Sequence, residues 1–469
     1  MPASRQDTLR FLPSVDALLQ ETELQDCLAR LPRQIVVQAV RAAVSEARQR
    51  LLAGTQCGTT PDAVRGSVIA RVLEITRTAA GPHYRRAINA TGIILHTGLG
   101  RAVLAKAALD QVRRELQGYS VLQIDTESGQ RSRRDERIEW LLRQLTGAEA
   151  ATVVNNNAAA TMIVLSTLAK GREVIVSRGQ LVEIGGSFRL PEVMAASGAR
   201  LIEVGTTNKT HARDYESAIT PETAAIMRVH PSNYRIQGFT AEVPLADLER
   251  IAHDHGLVLI DDLGAGALID FARFGFEPEP RLADSVATGA DIVTCSADKL
   301  IGAAQGGIIL GKVELITQVR KNPLARAVRV DKVTLAIMEA TLALFLDEQR
   351  ALREVPTLAM LMREPTDVAA QADRIALALA ARLPEAKVTT EAGFSQMGSG
   401  SLPEQKLATT VVAIVPVRME AGELARRMRL GQPPVFARTH AGRVLIDSRT
   451  LFADDEQPLI ETVIAACRA

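Results

Sequence analysis

Aromatic residues make up only 3% of the 469-residue chain, with a single tryptophan. That scarcity argues against a surface that reads nucleic acid by stacking bases on rings. Cysteine is scarce too. Cys27, Cys57, Cys295 and Cys467 lie far apart and none has C-x-x-C spacing, so neither a zinc knuckle nor a disulfide framework is suggested. The seven histidines are scattered, and the nearest pair, His253 and His255, would face different ways on a helix. No metal site is expected. No run approaches about 18 uninterrupted apolar residues, and the N-terminus lacks a basic region followed by an apolar stretch. A soluble cytoplasmic protein with no membrane partner is the expectation. Neither sign of charge dominates: 55 Lys plus Arg against 54 Asp plus Glu excludes a uniformly basic coat but leaves room for local patches.

What is present is a globular balance, 47% hydrophobic and 23% charged, in a chain long enough for several domains. Residues 1–80 read as a helical unit. Val15, Leu18 and Leu19 begin one apolar stripe, Val36, Val40, Val44 and Ala47 form another at steps of three and four, and 68–75 gives a third. Its arginines Arg33, Arg41, Arg48 and Arg50 gather on or beside one helix. From about 81 to 335 short β-branched runs alternate with helical stretches: 151–154, 174–177, 201–204, 224–229, 257–262, 292–295 and 307–310. Continuous apolar strands with crossovers predict an α/β domain around a mainly parallel sheet covered on both faces. The last two runs are close enough for an antiparallel return. Residues 336–469 read as a small α+β domain, with strands at 409–417, 435–438 and 444–447 and helices at 421–430 and 456–467.

The segment 291–311 carries the most chemistry. A strand ends at Cys295, and Ser296 and Lys299 follow on the turn, with Gly302, Gly306 and Gly307 beyond. Lysine is rare here, nine residues in the chain, and one at a strand exit among glycines is placed to form an imine once partial burial lowers its pKa. A surface loop lysine is the plain alternative for that segment alone. Asp262 ends another strand, where a carboxylate can hold a pyridinium proton or merely cap a turn. Asn155, Asn156, Asn157 and Ala158 lie between a strand and a small-residue helix start, whose N–H groups could hold a phosphate. His230, Ser232 and Asn233 follow a strand and either line a pocket or form a turn. Gly398 to Ser401 reads as a simple Gly/Ser loop.

Strand with phosphate cradle, strand with Asp, strand with Ser-x-x-Lys: this order resembles the fold-type I pyridoxal-phosphate enzymes. Narrower strings then occur in order: INATGIILHTGLGRA (88–102), NNNAAA (155–160), SRGQLVEIGGSFRLP (177–191), EVGTTNKTHARDY (203–215), HPSNYRIQGFT (230–240), DDLGAGAL (261–268), SADKLIGAAQGG (296–307) and RAVRVDK (326–332). Together with LPSVDALL (12–19) they resemble the bacterial L-seryl-tRNA(Sec) selenium transferase (selenocysteine synthase) family over almost the whole chain. Departures from the family pattern stand at Gly98, Gln123, Gln180, Ala297, Ala303 and Ala304. They touch loop geometry and any acid–base role at the two Gln positions.

The resemblance implies a large fold-type I domain at 81–335, a small C-terminal domain at 336–469 and a helical tRNA-recognition domain at 1–80. It implies that Lys299 holds pyridoxal 5′-phosphate as an aldimine, that Asp262 partners the pyridine nitrogen, and that Ser296 and Asn155 to Ala158 bind the phosphate. It implies conversion of L-seryl-tRNA(Sec) to L-selenocysteinyl-tRNA(Sec) through an aminoacrylyl stage. Selenophosphate would be held by Arg101, Arg326 and Arg329, with Asp298 orienting that cluster. The assembly implied is a homodecamer, a pentamer of dimers with active sites at dimer interfaces. The competing expectation is a related lyase acting on a free small amino acid or sugar acid, although such relatives usually lack the leading helical unit. A tRNA-binding protein without catalysis is disfavoured by the intact Lys299 and Asp262. The acid that protonates the departing serine hydroxyl is not named by the sequence.

Overall fold

Apolar side chains recurring at steps of three and four build the first unit of the chain. The computed structural model describes residues 9–53, 60–80, 82–186, 188–403 and 405–468, so Cys57 lies outside the described residues. It divides into two compact units, Met1–Arg86 and Ala87–Ala469. In the first, helices run over Val15–Leu19, Thr22–Arg30, Arg33–Leu52 and Pro61–Ala80. Ser14 caps the first, its Oγ accepting from the Ala17 N–H at 3.1 Å. Leu18, Leu24, Val36, Val40, Val64, Val68 and Val72 are buried together. Each such side chain contributes about 1.5–3 kcal/mol relative to exposure. The helix Thr22–Arg30 had no clear sequence signal, since Leu24 is its one fully buried residue.

The second unit contains fourteen strands among the described residues: β1 (Ile88–Ala90), β2 (Ala150–Val154), β3 (Glu173–Ser177), β4 (Glu183–Ile184), β5 (Phe188–Arg189), β6 (Arg200–Val204), β7 (Thr223–Val229), β8 (Val258–Gly264), β9 (Ile292–Ser296), β10 (Gly307–Gly311), β11 (Lys387–Gln396), β12 (Lys406–Val415), β13 (Val435–His440) and β14 (Arg443–Asp447). Seven form one sheet in the order β2-β10-β9-β8-β7-β3-β6. The pairs β8–β9, β7–β8, β3–β7 and β3–β6 are parallel, whereas β10 runs antiparallel to both β9 and β2. All seven correspond to the apolar runs read from the sequence, including the antiparallel return. Strands β2, β9 and β10 are almost wholly buried, as a sheet covered on both faces requires. Crossover helices such as Leu245–Asp254 return the chain, so β7, β8 and β9 end at one edge.

A second sheet has the order β1-β13-β14-β12-β11. Its core gathers side chains from the helices Pro365–Arg382, Ala421–Leu430 and Glu456–Arg468. Two of its strands differ from the sequence reading. Ile88–Ala90 falls after the boundary drawn at 80, yet pairs in parallel with Val435–Ala437 of this sheet. Strand β11 is ten residues of mostly polar, exposed chain, so no apolar run marks it. Among the described residues no helix is long and apolar enough to cross a membrane, and no cluster of His, Cys, Asp or Glu could hold a metal ion.

Candidate active site

Strand β8 delivers Asp262 into an almost fully buried setting. The residue is 3% exposed. Its Oδ1 accepts from Asn157 Nδ2 at 2.8 Å and from the Gly264 N–H at 3.2 Å, and Thr161 Oγ1 lies 3.3 Å from Oδ2. Burial pushes this carboxyl well above its usual range, and the surrounding donors pull it back. A cation set opposite would hold it ionised. Gly264 has φ +65°, and a Cβ there would sit 3.2 Å from Ser232 Oγ.

Lys299 follows β9 and is 6% exposed. Burial lowers its pKa and the Arg101 guanidinium lowers it further, while Asp298 raises it. An amine poised this way loses its proton readily and can attack a carbonyl. Arg101 Nη1 meets Asp298 Oδ2 at 2.6 Å. Arg101 itself has φ +63°, in the left-handed region that costs a side-chain-bearing residue about 1–2 kcal/mol. Its N–H donates to the His96 carbonyl at 3.0 Å, which closes the turn that sets this strained position.

Both groups line one cavity of about 450 Å³, together with Arg101, Ser296, Asn156, Asn157 and Ala158. The helix Asn157–Leu168 opens at its wall, and Asn156 Oδ1 caps it by accepting from the Ala159 N–H at 2.9 Å. The Ala160 N–H donates to the Asn156 carbonyl at 3.1 Å, whereas the N–H groups of Asn157 and Ala158 precede the first intrahelical bond, an arrangement that suits an anion. Gly307 lets β10 pass close by, since a Cβ there would meet the Asn156 carbonyl oxygen at 2.2 Å. Asn155 is placed otherwise. It is exposed, outside the cavity lining, and its N–H donates to the Val328 carbonyl at 3.0 Å. Of the four residues expected at a phosphate cradle, Asn156, Asn157 and Ala158 are in the described lining and Asn155 is not.

Arg326 and Arg329 do not join this group. Arg329 lines a different cavity of about 310 Å³ with Gln123, Arg133, Arg134 and Arg320, and Arg326 lies on the short helix Leu324–Ala327. Burial lowers the Arg134 pKa and the neighbouring Arg329, Arg131 and Arg326 lower it further, while Asp135 raises it; Arg133 and Arg320 are ion-paired to Glu139, at 2.5 and 3.1 Å. The two glutamines at departing positions act as acceptors: Gln123 Oε1 from Arg134 Nη2 at 2.7 Å, Gln180 Oε1 from the Val229 N–H at 3.1 Å. Both roles need only a carbonyl oxygen, which Gln and Glu share.

The sequence left His230, Ser232 and Asn233 between pocket and turn, and all three line the cavity. Ser232 is 1% exposed and its Oγ has no partner, and the Oδ1 of Asn157 is likewise buried and unpaired. Unsatisfied polar atoms facing a cavity call for a ligand. The loop read as a plain Gly/Ser turn also contributes, through Ser399 and Gly400, with Thr97 beside it. Ser399 Oγ lies 2.6 Å from the Leu95 carbonyl oxygen and 3.0 Å from Thr97 Oγ1, which fixes the loop against the cavity. No local spacing marks this long-range contact.

Residues 87–452 match the model of the L-seryl-tRNA selenium transferase family, and residues 9–48 match that of the selenocysteine synthase N-terminal region. The chain is similar to the L-seryl-tRNA(Sec) selenium transferase of Desulfomicrobium baculatum, at 48% identity over 98% of this chain and 99% of that protein. It is similar to the L-seryl-tRNA(Sec) selenium transferase of Solidesulfovibrio magneticus, at 50% identity over 99% of each. Among solved structures it shares its fold with D-glucosaminate-6-phosphate ammonia-lyase, at a TM-score of 0.56 and 21% identity over 82% of this chain and 96% of that one. The architecture is the expected α/β fold of type I.

Proposed function

The chain belongs to the L-seryl-tRNA selenium transferase family, and from that premise we propose that its Lys299 cavity binds pyridoxal 5′-phosphate and uses selenophosphate to turn the serine of L-seryl-tRNA(Sec) into selenocysteine. The observation that carries the reading is the convergence of Lys299, Asp262 and a helix N-terminus on one cavity. The residues suit the cofactor: an amine with lowered pKa, a buried carboxylate, an anion cradle, and the unpaired atoms of Ser232 and Asn157.

When bound, the cofactor supplies an electron sink that makes the serine Cα–H acidic. Lys299 would hold the cofactor covalently, and its amine, when free, would take the Cα proton. Asp262 would hold a proton on the ring nitrogen, with Asn157 fixing the carboxylate. Asn156 to Ala158 and Ser296 hold the phosphate. Arg101, steadied by Asp298, holds the incoming selenophosphate with Arg326 and Arg329, because guanidinium forks pair well with a multiply charged oxyanion.

Within one chain Arg326 and Arg329 are absent from the described lining of the Lys299 cavity. A selenophosphate gripped by all three arginines then needs a second copy of the chain, which supports active sites shared across a dimer within a larger ring. The helical unit would grip the tRNA body by backbone and 2′-OH contacts, for which arginine without aromatics is suited. Its match to the N-terminal family model favours this reading over a lyase acting on a free amino acid or sugar acid.

The direct test is incubation with seryl-tRNA(Sec) and selenophosphate, followed by assay of selenium on the aminoacyl ester. Selenocysteinyl-tRNA is the expected product. Unchanged seryl-tRNA, with cofactor present, would overturn the reading.

A further inference from the structure

We infer that His230 and Glu279 form a proton relay serving the departing serine oxygen, an assignment that rests on the transferase reading above. Hydroxide is a poor leaving group, and Lys299 is already engaged with the Cα proton. A second proton source is therefore needed on the same cavity.

His230 stands at the end of β7, where its N–H donates to the Asp262 carbonyl at 2.8 Å, and its side chain lines the cavity. Glu279 is absent from the described lining. Its side chain is 5% exposed, and its Oε1 lies 3.7 Å from His230 Nε2, a gap that one bridging water or a small side-chain shift closes for proton transfer. With Nε2 on the Glu279 side, Nδ1 is the imidazole nitrogen the relay assigns to the substrate. Glu279 acts through His230 and is a positioning residue with a proton to give.

The surroundings keep the pair near neutrality. Lys299 and Arg235 face Glu279, and Arg228 and Arg235 face His230. Burial pushes the Glu279 carboxyl up to about 7 and the His230 imidazole down to about 4. Near neutral pH the imidazole is therefore uncharged and the Glu279 carboxyl sits close to its own titration midpoint. An acid titrating close to working pH is what general-acid catalysis requires.

The step balances without a further reactant. As the Cβ–O bond breaks, the oxygen takes the proton from His230 Nδ1 and leaves as water. Nε2 takes the proton of Glu279, which becomes a carboxylate, and the imidazole ends neutral in its other tautomer. Solvent then restores the proton to Glu279.

The test compares Glu279→Gln and His230→Gln holoenzymes with wild type on two substrates, seryl-tRNA(Sec) and chloroalanyl-tRNA(Sec), whose chloride leaves without a proton. Retention of the cofactor's visible absorbance confirms folding of each variant. The relay requires turnover of the seryl substrate to fall about 10²-fold, a typical general-acid contribution, while turnover of the chloroalanyl substrate changes little. In the cofactor-free protein, the His230 imidazole NMR signal should also inflect near pH 7, where Glu279 titrates, and lose that inflection in Glu279→Gln. Equal losses on both substrates, unchanged turnover of the seryl substrate, or no inflection overturns the relay. A wild-type protein inert toward both substrates overturns the transferase reading instead.

Discussion

The side-chain amide of Asn157 donates to Asp262 Oδ1 at 2.8 Å. The first residue of the helix at the cavity wall therefore also fixes the acid proposed to partner the cofactor ring. Asn157→Ala leaves a buried carboxylate short of a donor, which costs about 1–3 kcal/mol. The expected result is a lower melting temperature for the cofactor-free protein together with weaker cofactor binding, read by calorimetry and by titration of the visible absorbance. Wild-type values for both would show that the contact is incidental.

The charges around Lys299 act in opposite directions, so their removal should too. Arg101 lowers the Lys299 pKa and Asp298 raises it. Arg101→Gln removes the lowering charge and frees Asp298, and both effects raise the pKa. Less neutral amine is then available at a given pH, and the pH midpoint of cofactor uptake moves up. Asp298→Asn removes the raising charge and moves the midpoint down. Stopped-flow uptake across a pH series in cofactor-free protein measures both; shifts of the same sign would contradict the assignment.

Arg326→Ala and Arg329→Ala should leave the cofactor absorbance intact and raise the KM for selenophosphate. A charge-assisted hydrogen bond of about 1.5–3 kcal/mol corresponds to a change of about 10- to 150-fold. Mixed and reassembled Lys299→Ala and Arg329→Ala chains should regain part of the activity, because one intact site can form from two defective copies. No recovery would place each complete site within a single chain.

Removal of residues 1–80 should abolish seryl-tRNA(Sec) binding and leave cofactor bound. Leu18, Leu24, Val36, Val40, Val64, Val68 and Val72 form a core confined to the first unit, so the sheet that carries Lys299 keeps its own packing. Gel-shift titration of both proteins decides it. Equal affinity would remove recognition from the helical unit.

Much of this was legible because of how parallel sheets are built. Strands buried on both faces must be continuously apolar, and β7 to β10 announced themselves that way. Lys299 and Asp262 stood at the ends of such strands, with glycines beside them. Legibility failed where structure depends on distant partners. Strand β1 is three residues long and β11 is mostly polar, so neither carries a hydrophobic signature. Asn155 and Asn156 are indistinguishable in sequence, yet only the second lines the cavity. Nothing near Glu279 hints that it meets a histidine forty-nine positions earlier, and the Ser399 loop reaches the cavity from the far side of the chain.

The proposed function requires the Nζ of Lys299 to be covalently joined to pyridoxal 5′-phosphate in the resting protein. Borohydride reduction followed by peptide mass spectrometry reads this directly. The adduct is expected on the peptide containing Lys299 and nowhere else. An adduct on another lysine, or none when the cofactor is supplied in excess, would contradict the account.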